Sequence, residues 1–182
     1  QRNSNPKQYQ QKGNNNPNNR PGQSSNQVQN NQQKGSSIQS NMTDSKRNQL
    51  DVMTHLTQRS NKVFVKANEK AKELKNTFVD SEHLLYGLLS DSQVFKLLTE
   101  LKVQPQLVEQ ELAKIYKKES NQNPPQISPR IKQIIEKSLV VARKLRYEFI
   151  SPEHILLALY EEGEGIGARI LVNLGLTKED IN

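Results

Sequence analysis

The stretch Phe78-Val79-Asp80-Ser81-Glu82-His83-Leu84-Leu85 occurs a second time, in altered form, as Phe149-Ile150-Ser151-Pro152-Glu153-His154-Ile155-Leu156. The two copies are 71 residues apart, and the same shift brings Thr57-Gln58-Arg59 onto Ser128-Pro129-Arg130. Chance rarely produces one shift that aligns two separate motifs. The chain therefore contains a duplicated unit, and such a repeat has to be recognised before a fold is assigned.

Each copy is predicted to be helical, because its apolar residues recur at the spacing of one helix face. These residues are Ile131, Ile134, Ile135, Leu139, Ala142 and Leu145 in the second copy, and Val63, Phe64, Ala67, Ala71 and Leu74 in the first. Ser128 followed by Pro129 is typical of an N-cap with proline at the first helical position, and Thr57 takes the same place in the first copy. Ser151 and Asp80 mark the starts of two further helices in the same way.

The remaining helices follow from the same alignment. Third helices are predicted near Gln93 to Leu101 and Ile166 to Leu174, and a fourth after Pro105. The counterpart of this fourth helix would begin at Lys178, so we expect the second copy to be truncated at Asn182. No strand-like alternation of useful length is present. The sequence therefore predicts an all-α domain.

The predicted domain covers residues 49–182 and consists of two tandem repeats of four to five helices. The first repeat runs from about 55 to 118, a polar linker from 119 to 126, and the second repeat from about 127 to 182. We expect the two repeats to share one core and to be related by a pseudo-two-fold axis.

The first part of the chain has a different composition. Residues 1–40 contain 20 Asn or Gln, five Lys or Arg and no acidic residue, so most of the formal net charge of +7 comes from this segment. Such a stretch cannot bury enough apolar surface to offset its ordering entropy, and we predict that residues 1–48 are a disordered tail. A tether is the favoured interpretation. The alternative is an arm that binds nucleic acid through its dilute basic charges.

The sequence offers little for catalysis. The chain has no Cys, hence no disulfide, thiolate metal site or cysteine nucleophile. Neither zinc-protease motif surrounds its three histidines, and Gly163, Gly165 and Gly167 fit neither a phosphate loop nor a dinucleotide-binding turn. No apolar run reaches the roughly 18 to 20 residues of a membrane span. We predict a binding module without enzymatic activity, metal, cofactor or membrane partner.

The duplicated Glu-His pair is the most specific local signal. With Ser151 as N-cap, Glu153 is the second and His154 the third helical residue, and Glu82 and His83 are their equivalents. One interpretation is structural, because a carboxylate in the first turn is favoured by the helix dipole. The other is functional: semi-exposed carboxylates at equivalent positions receive Arg or Lys side chains of a client protein.

Several motifs together resemble one family. They are the Thr/Ser-x-Arg helix starts, the stretch Ser81 to Leu89, the stretch Pro152 to Leu159, and Gly163 to Leu171 followed by Leu174-Gly175. This arrangement resembles the amino-terminal Clp repeat domain of the Clp/Hsp100 ATPases, and is nearest to the ClpC and ClpA kind. The resemblance implies a module that receives protein substrates and adaptors above an ATPase ring, which in turn works with a Clp peptidase. ATP and Mg²⁺ would be bound by ATPase modules that are not in this chain. The implied location is the bacterial cytoplasm, with a plastid-type stroma as the alternative.

The resemblance also implies a sharper site, because some ClpC-type domains bind phosphorylated arginine. Carried over to this sequence, Glu82 and Glu153 would hold the guanidinium, and the helix starts at Thr57 and Ser128 would hold the phosphate. This sequence departs from the usual Gly-Thr-Glu-His at both places, and Asp80 adds a negative charge where a phosphate would approach. We therefore expect the Glu153 site to bind the ligand better than the Glu82 site.

Three functions follow as alternatives. The leading one is a substrate- and adaptor-docking domain of a Clp ATPase. The second is a stand-alone Clp-repeat protein that accompanies a Clp protease as an accessory subunit. The third is nucleic-acid binding through the basic tail.

Overall fold

Helices make up most of the part of the chain that the computed structural model describes, residues 51–181. The predicted disordered tail, residues 1–48, lies outside the described residues. The elements in chain order are α1 (Gln58–Glu73), β1 (Phe78–Val79), α2 (Ser81–Leu89), α3 (Ser92–Glu100), α4 (Pro105–Ile115), β2 (Gln126–Ile127), α5 (Pro129–Lys144), α6 (Pro152–Glu162), α7 (Ile166–Asn173) and α8 (Lys178–Ile181). Residues 51–54 are also helical. The described residues belong to one compact unit.

The long first helices of the two repeats begin as the sequence predicts. Helices α1 and α5 each contain 16 residues. The Thr57 hydroxyl accepts a hydrogen bond from the Ser60 amide at 3.1 Å, and the Ser128 hydroxyl accepts one from the Ile131 amide at 3.2 Å. These bonds satisfy first-turn amides that have no partner inside the helix. The N-caps proposed from the sequence are confirmed.

The same two helices also end alike. Lys75 and Arg146, which are equivalent under the 71-residue shift, both have positive φ angles, 54° and 65°. The amides that follow them donate back into the helix, Asn76 to the Ala71 carbonyl at 2.9 Å and Tyr147 to the Ala142 carbonyl at 2.8 Å. Local sequence and backbone conformation are therefore duplicated together.

Short extended segments of the two repeats pair with each other. Strand β1 pairs in parallel with β2, with Val79 opposite Ile127, and the equivalent residues Leu56 and Ile150 form an isolated parallel bridge. The amide of Ser128 donates to the Val79 carbonyl at 3.1 Å, and the amide of Thr57 donates to the Ile150 carbonyl at 3.0 Å. Each repeat therefore contributes one half of each pairing, as a pseudo-two-fold axis requires. Segments of one or two residues are too short to leave an alternating pattern in the sequence.

One core lies between the repeats. The apolar residues that form it come from both copies, and the largest fully buried ones include Leu84, Leu85, Leu88, Leu98, Leu112, Ile131, Ile134, Ile155, Leu159 and Leu171. Gly87 allows α2 to approach α1 closely, since a Cβ atom there would lie 2.3 Å from the Val63 carbonyl oxygen. The predicted all-α fold of two repeats with a shared core is confirmed.

One residue of the predicted helix faces lies elsewhere. Leu145 was expected on the buried face of the second repeat, but it is 54% exposed, whereas its equivalent Leu74 is 5% exposed. Both residues cap the C-terminal end of their helix. The difference arises because chain segment 116–121 covers Leu74, with the Glu119 amide donating to the Leu74 carbonyl at 2.9 Å, while no segment among residues 51–181 covers Leu145 in this way.

No helix among residues 51–181 combines the length and apolar character that crossing a membrane requires. The same range holds no cluster of three or more His, Cys, Asp or Glu side chains arranged to hold a metal ion.

Candidate functional site

The two predicted site carboxylates lie in the first turns of α6 and α2. Ser151 and Asp80 are the N-caps, so Glu153 and Glu82 occupy the second helical position, as the sequence predicts. The side chains of Glu153 and Glu82 are 31% and 20% exposed. Both are therefore accessible to a ligand but partly desolvated.

The neighbouring histidines turn inward. His154 Nδ1 accepts a hydrogen bond from the Ser151 amide, and His83 Nδ1 accepts one from the Asp80 amide, both at 3.0 Å. Burial lowers the pKa of His83 and of His154 below the usual value. The two imidazoles are thus neutral elements of the helix caps, with the remaining ring proton on Nε2.

Glu153 faces a helix start of the other repeat. Arg59, in the first turn of α1, donates from Nη2 to Glu153 Oε1 at 2.8 Å and from Nη1 to Glu153 Oε2 at 3.4 Å. Arg59 Nε also donates to Asp91 Oδ2 at 3.0 Å. Asp91 in turn caps α3 by accepting from the amides of Gln93 and Val94, each at 3.1 Å. We call Thr57, Arg59, Asp91 and Glu153 the Arg59 site.

The charges of the Arg59 site stabilise one another. Hydrogen bonding to Asp91 raises the pKa of Arg59 above its usual value, although burial opposes this, and Glu153 raises it further. Burial by itself would raise the pKa of Glu153, but the hydrogen bonds from Arg59, Ser151 and its own amide, together with the charge of Arg59, outweigh burial and lower the pKa. Burial would likewise raise the pKa of Asp91, but the hydrogen bonds from Arg59 and from the Val94 and Gln93 amides, together with the charge of Arg59, lower it. Glu153 is therefore ionised at neutral pH and already accepts one guanidinium group.

The equivalent site of the other half is built differently. Arg130 Nε donates to Glu162 Oε1 at 2.9 Å, and Arg130 Nη1 lies 3.8 Å from Asp80 Oδ1. Glu162 also accepts from the amide of Gly165 at 3.0 Å, at the start of α7. We call Ser128, Arg130, Glu162, Asp80 and Glu82 the Arg130 site. Its arginine contacts Asp80 in the place where Arg59 contacts Glu153.

Glu82 consequently has no basic side chain bonded to it within the described part of the chain. The neutral ring of His83 lies beside it, with Nδ1 4.0 Å from Glu82 Oε1, and this nitrogen accepts the Asp80 amide proton. Burial raises the pKa of Glu82, and hydrogen bonding to its own amide offsets this only in part. A cation brought to Glu82 would therefore relieve a partly desolvated carboxylate.

The structure brings some predicted residues together and separates others. Thr57 and Glu153 line one groove with Arg59. Ser128 is only 3% exposed, and its hydroxyl is engaged with the Ile131 amide. A role for the Ser128 hydroxyl as an anion ligand therefore gains no support from its surroundings.

The two arginines and their acidic partners were not predicted as site residues from the sequence. Arg59 and Arg130 stand in the aligned helix starts, and Asp91 and Glu162 are also related by the 71-residue shift. The sequence therefore contained a signal for these pairs, because a basic and an acidic residue both recur after 71 residues. Which acid each arginine contacts across the repeats was not contained in the alignment.

The Arg59 site opens onto a groove of about 710 Å³ that is lined by the second repeat and by Thr57, Arg59, Leu97 and Leu101 of the first. Its apolar lining includes Leu145, Tyr147, Phe149, Leu156, Tyr160 and Leu176. Among residues 51–181, the carboxylates of Glu148, Glu153 and Asp180 also line it, and Arg59 is the single lysine or arginine that does so. The groove is therefore apolar with an acidic margin.

Comparison with known proteins agrees with this architecture. The family model of the Clp repeat (R) N-terminal domain matches residues 55–174. The ATP-dependent Clp protease ATP-binding subunit ClpC of Staphylococcus saprophyticus is 36% identical to this chain over 124 residues, which are 66% of this chain and 15% of that protein. The chain thus spans only a small part of the curated relative that it matches.

Solved structures give the same result at the level of the fold. The N-domain of ClpV from Vibrio cholerae aligns with a TM-score of 0.66 at 19% identity, over 73% of this chain and 84% of that chain. A complex of the ClpV N-domain with a VipB peptide aligns with a TM-score of 0.64 at 21% identity, over 72% and 85% of the two chains.

The fold and the duplicated capped helices define a two-repeat helical domain of the kind found in Clp/Hsp100 proteins. The chain belongs to the Clp repeat N-terminal domain family. The resemblance inferred from its motifs is confirmed.

Proposed function

We propose that this domain docks protein substrates and adaptors for a Clp-type ATP-dependent unfoldase. The observation that carries the proposal is the pair of partly exposed carboxylates, Glu153 and Glu82, each fixed at the second position of a capped helix. Family membership supports it, as does the peptide complex of the ClpV N-domain, which has the same fold. The domain itself acts as a binding module that needs no cofactor, and ATP hydrolysis belongs to other modules.

The ligand we propose for the Arg59 site is phosphorylated arginine. Glu153 already accepts the fork of Arg59, which supports its fitness for a guanidinium group. A client guanidinium that takes over Glu153 would displace Arg59 toward the phosphate of the same ligand. The first-turn amides of α1, at Gln58 and Arg59, would add further donors.

Unphosphorylated arginine is better suited to the Arg130 site. Glu82 has no basic partner there among the described residues, so a client cation would not have to displace one. Asp80 would repel a phosphate at the same place, since its carboxylate caps α2 close to Arg130. We therefore propose that the two sites differ in ligand, with the phosphorylated form at Glu153 and the unphosphorylated form at Glu82.

Calorimetry with free phosphoarginine and free arginine tests this proposal. Glu153→Ala should abolish phosphoarginine binding, and Glu82→Ala should abolish arginine binding. Thermal melts of both variants provide the control, because an exposed first-turn acid contributes only about 0.3 to 1 kcal/mol to folding. Loss of stability with no ligand binding in the wild-type chain would mean that the Glu-His pairs serve only as caps.

The wider setting is part of the proposal. The partners are protein clients, adaptors, a Clp ATPase ring and a Clp peptidase, in the bacterial cytoplasm. A stand-alone accessory subunit would use the same docking surfaces. Co-purification of the ring and the peptidase with the natural full-length gene product would separate the two cases.

A further inference from the structure

An exposed phenylalanine stands at the same place in both repeats. Phe78 and Phe149 are related by the 71-residue shift, and each comes two residues before the N-cap of the helix that carries a site glutamate. They are 45% and 49% exposed. A single exposed apolar residue is ordinary, but the same exposed ring beside two equivalent sites indicates a shared role.

The backbone directs both rings toward solvent. Val79 and Ile150, which follow the two phenylalanines, take part in the parallel pairings between the repeats and are 3% and 0% exposed. Successive side chains of an extended segment point to opposite faces, so the burial of Val79 and Ile150 turns Phe78 and Phe149 outward. The pairings also hold the backbone of each phenylalanine in place next to a helix start.

Phe149 lies at the edge of the Arg59 site. It lines the same groove as Thr57, Arg59 and Glu153. Ser151 lies on the same face of the extended segment, and two residues of such a segment span about 7 Å. The Ser151 hydroxyl hydrogen-bonds the Glu153 carboxylate and helps to lower its pKa. The ring of Phe149 and the carboxylate of Glu153 are therefore close enough to contact one planar cation together.

The first repeat has the same arrangement. Asp80 follows Phe78 at the same spacing, and Asp80 Oδ1 lies 3.8 Å from Arg130 Nη1. Phe78 is 45% exposed although segment 116–121 lies against the end of α1 in this repeat. An exposed ring at this position is thus compatible with a covered helix end. The exposure of Phe149 is therefore expected whether or not a segment lies against the end of α5.

The fold already holds a cation on ring faces elsewhere. Lys70 Nζ lies 5.0 Å from the ring centroid of Tyr86 and 5.1 Å from that of Tyr116. Beside a carboxylate, a guanidinium suits a ring better than an ammonium does, because it is planar. It can lie flat on the ring and still present the N–H groups of its edge to the carboxylate.

We propose that Phe149 and Phe78 form aromatic walls of the two arginine sites and determine a preference for arginine over lysine. The inference rests on the proposed docking function and adds the residues that select the ligand class. The client guanidinium stacks on the ring while its N–H groups donate to the glutamate of the same site, Glu153 or Glu82. A lysine ammonium contacts the ring as a point charge and has no fork for the carboxylate.

Calorimetry on the full chain tests this inference with three ligands: free phosphoarginine, free arginine and free lysine. Phe149→Leu should weaken phosphoarginine binding about two- to fivefold, the effect of one exposed cation–π contact, and leave arginine binding unchanged. Phe78→Leu should weaken arginine binding by the same factor and leave phosphoarginine binding unchanged. Each variant is thus the matched control of the other.

Two further comparisons separate stacking from a merely structural role. The wild-type chain should bind lysine more weakly than arginine, and Phe78→Leu should reduce this difference. Phe149→Tyr and Phe78→Tyr keep an aromatic ring and should bind as the wild type does. In NMR spectra, the ring current should shift the Cδ protons of bound arginine upfield with the wild-type chain and not with Phe78→Leu.

Both rings are exposed, so thermal melts of all four variants should match that of the wild type. Unchanged ligand binding by both leucine variants would overturn the aromatic walls and leave the proposed function intact. Wild-type protein that binds neither phosphoarginine nor arginine would overturn both. Tyrosine variants that bind as weakly as the leucine variants would overturn the aromatic walls alone. A loss of binding that follows a loss of thermal stability would do the same.

Discussion

Arg59 and Glu153 are 94 positions apart in the sequence, and two hydrogen bonds, of 2.8 and 3.4 Å, join them across the two repeats. The helix start that faces Glu153 therefore belongs to the first repeat, although Glu153 belongs to the second. The Arg59 site is a composite of both copies and depends on their relative placement.

Removing Arg59 should separate its structural and binding effects. Arg59→Ala is expected to lower the free energy of unfolding by about 1 kcal/mol, because a pair that is 40% exposed on the arginine side is screened by solvent. The same change should strengthen the binding of unphosphorylated arginine at Glu153, whose carboxylate is freed, and weaken that of phosphoarginine. Urea denaturation and calorimetry measure the two effects, with Arg130→Ala as the equivalent control. Loss of both ligands would contradict this prediction.

Asp91 combines a cap and an ion pair, and two substitutions can distinguish them. Asp91→Asn keeps an oxygen for the Gln93 and Val94 amides but loses the charge that holds Arg59. Asp91→Ala loses both interactions and should be less stable than Asp91→Asn by about 1 kcal/mol, a typical N-cap contribution. Urea denaturation checks the order. Equal stability of the two variants would show that the cap contributes little.

Close packing of α1 and α2 depends on Gly87. Gly87→Ala places a Cβ atom 2.3 Å from the Val63 carbonyl oxygen, which the backbone can relieve only by moving. We expect a loss of about 1 to 3 kcal/mol, in the range of overpacked cores. The equivalent residue in the second repeat is Ala158, which is fully buried. Ala158→Gly serves as the reference for a glycine–alanine change in a helix, about 1 kcal/mol. Wild-type stability of Gly87→Ala would refute the close contact.

The buried histidines should make stability depend on pH. Their pKa values in the folded protein lie below the unfolded value of about 6.5, so the unfolded chain binds more protons as the pH falls through that value. The stability that the neutral histidines contribute is fully present above about pH 6.5. It is lost as the pH falls from about 6.5 through their pKa values in the folded protein. Urea denaturation should thus give lower stability at about pH 5.5 than at about pH 7.5.

Glu82 acts in the opposite direction, because burial raises its pKa in the folded protein above the usual value for a glutamate. Its contribution is present below the unfolded pKa and is lost as the pH rises through the folded one. Glu82→Gln removes this effect and should leave the histidine dependence intact. NMR titration of His83 and His154 gives the folded pKa values directly. Values at or above 6.5 for both rings would remove the physical basis of the prediction.

The sequence could indicate the helices because their signals are local. Ser128 and Thr57 satisfy amides within three residues of themselves, and the Glu-His pairs lie in the first turn of their own helices. The prediction that Leu145 is buried was wrong, because periodicity shows which face of a helix a residue occupies but not whether another segment covers that face. In the first repeat residues 116–121 provide the cover for Leu74.

By itself the sequence determined the duplication, the helix starts and the position of each carboxylate within its helix, since these depend on neighbours a few residues away. The tertiary structure alone decided that Arg59 meets Glu153 while Arg130 meets Asp80 and leaves Glu82 unpaired by any basic residue among those described. It also decided that residues 116–121 lie against the end of α1 in the first repeat, while no segment among residues 51–181 does the same at the end of α5. These contacts depend on how the two similar units pack about a pseudo-two-fold axis. Side chains that are equivalent in sequence have different partners at this interface, because few of the residues around them are identical in the two repeats.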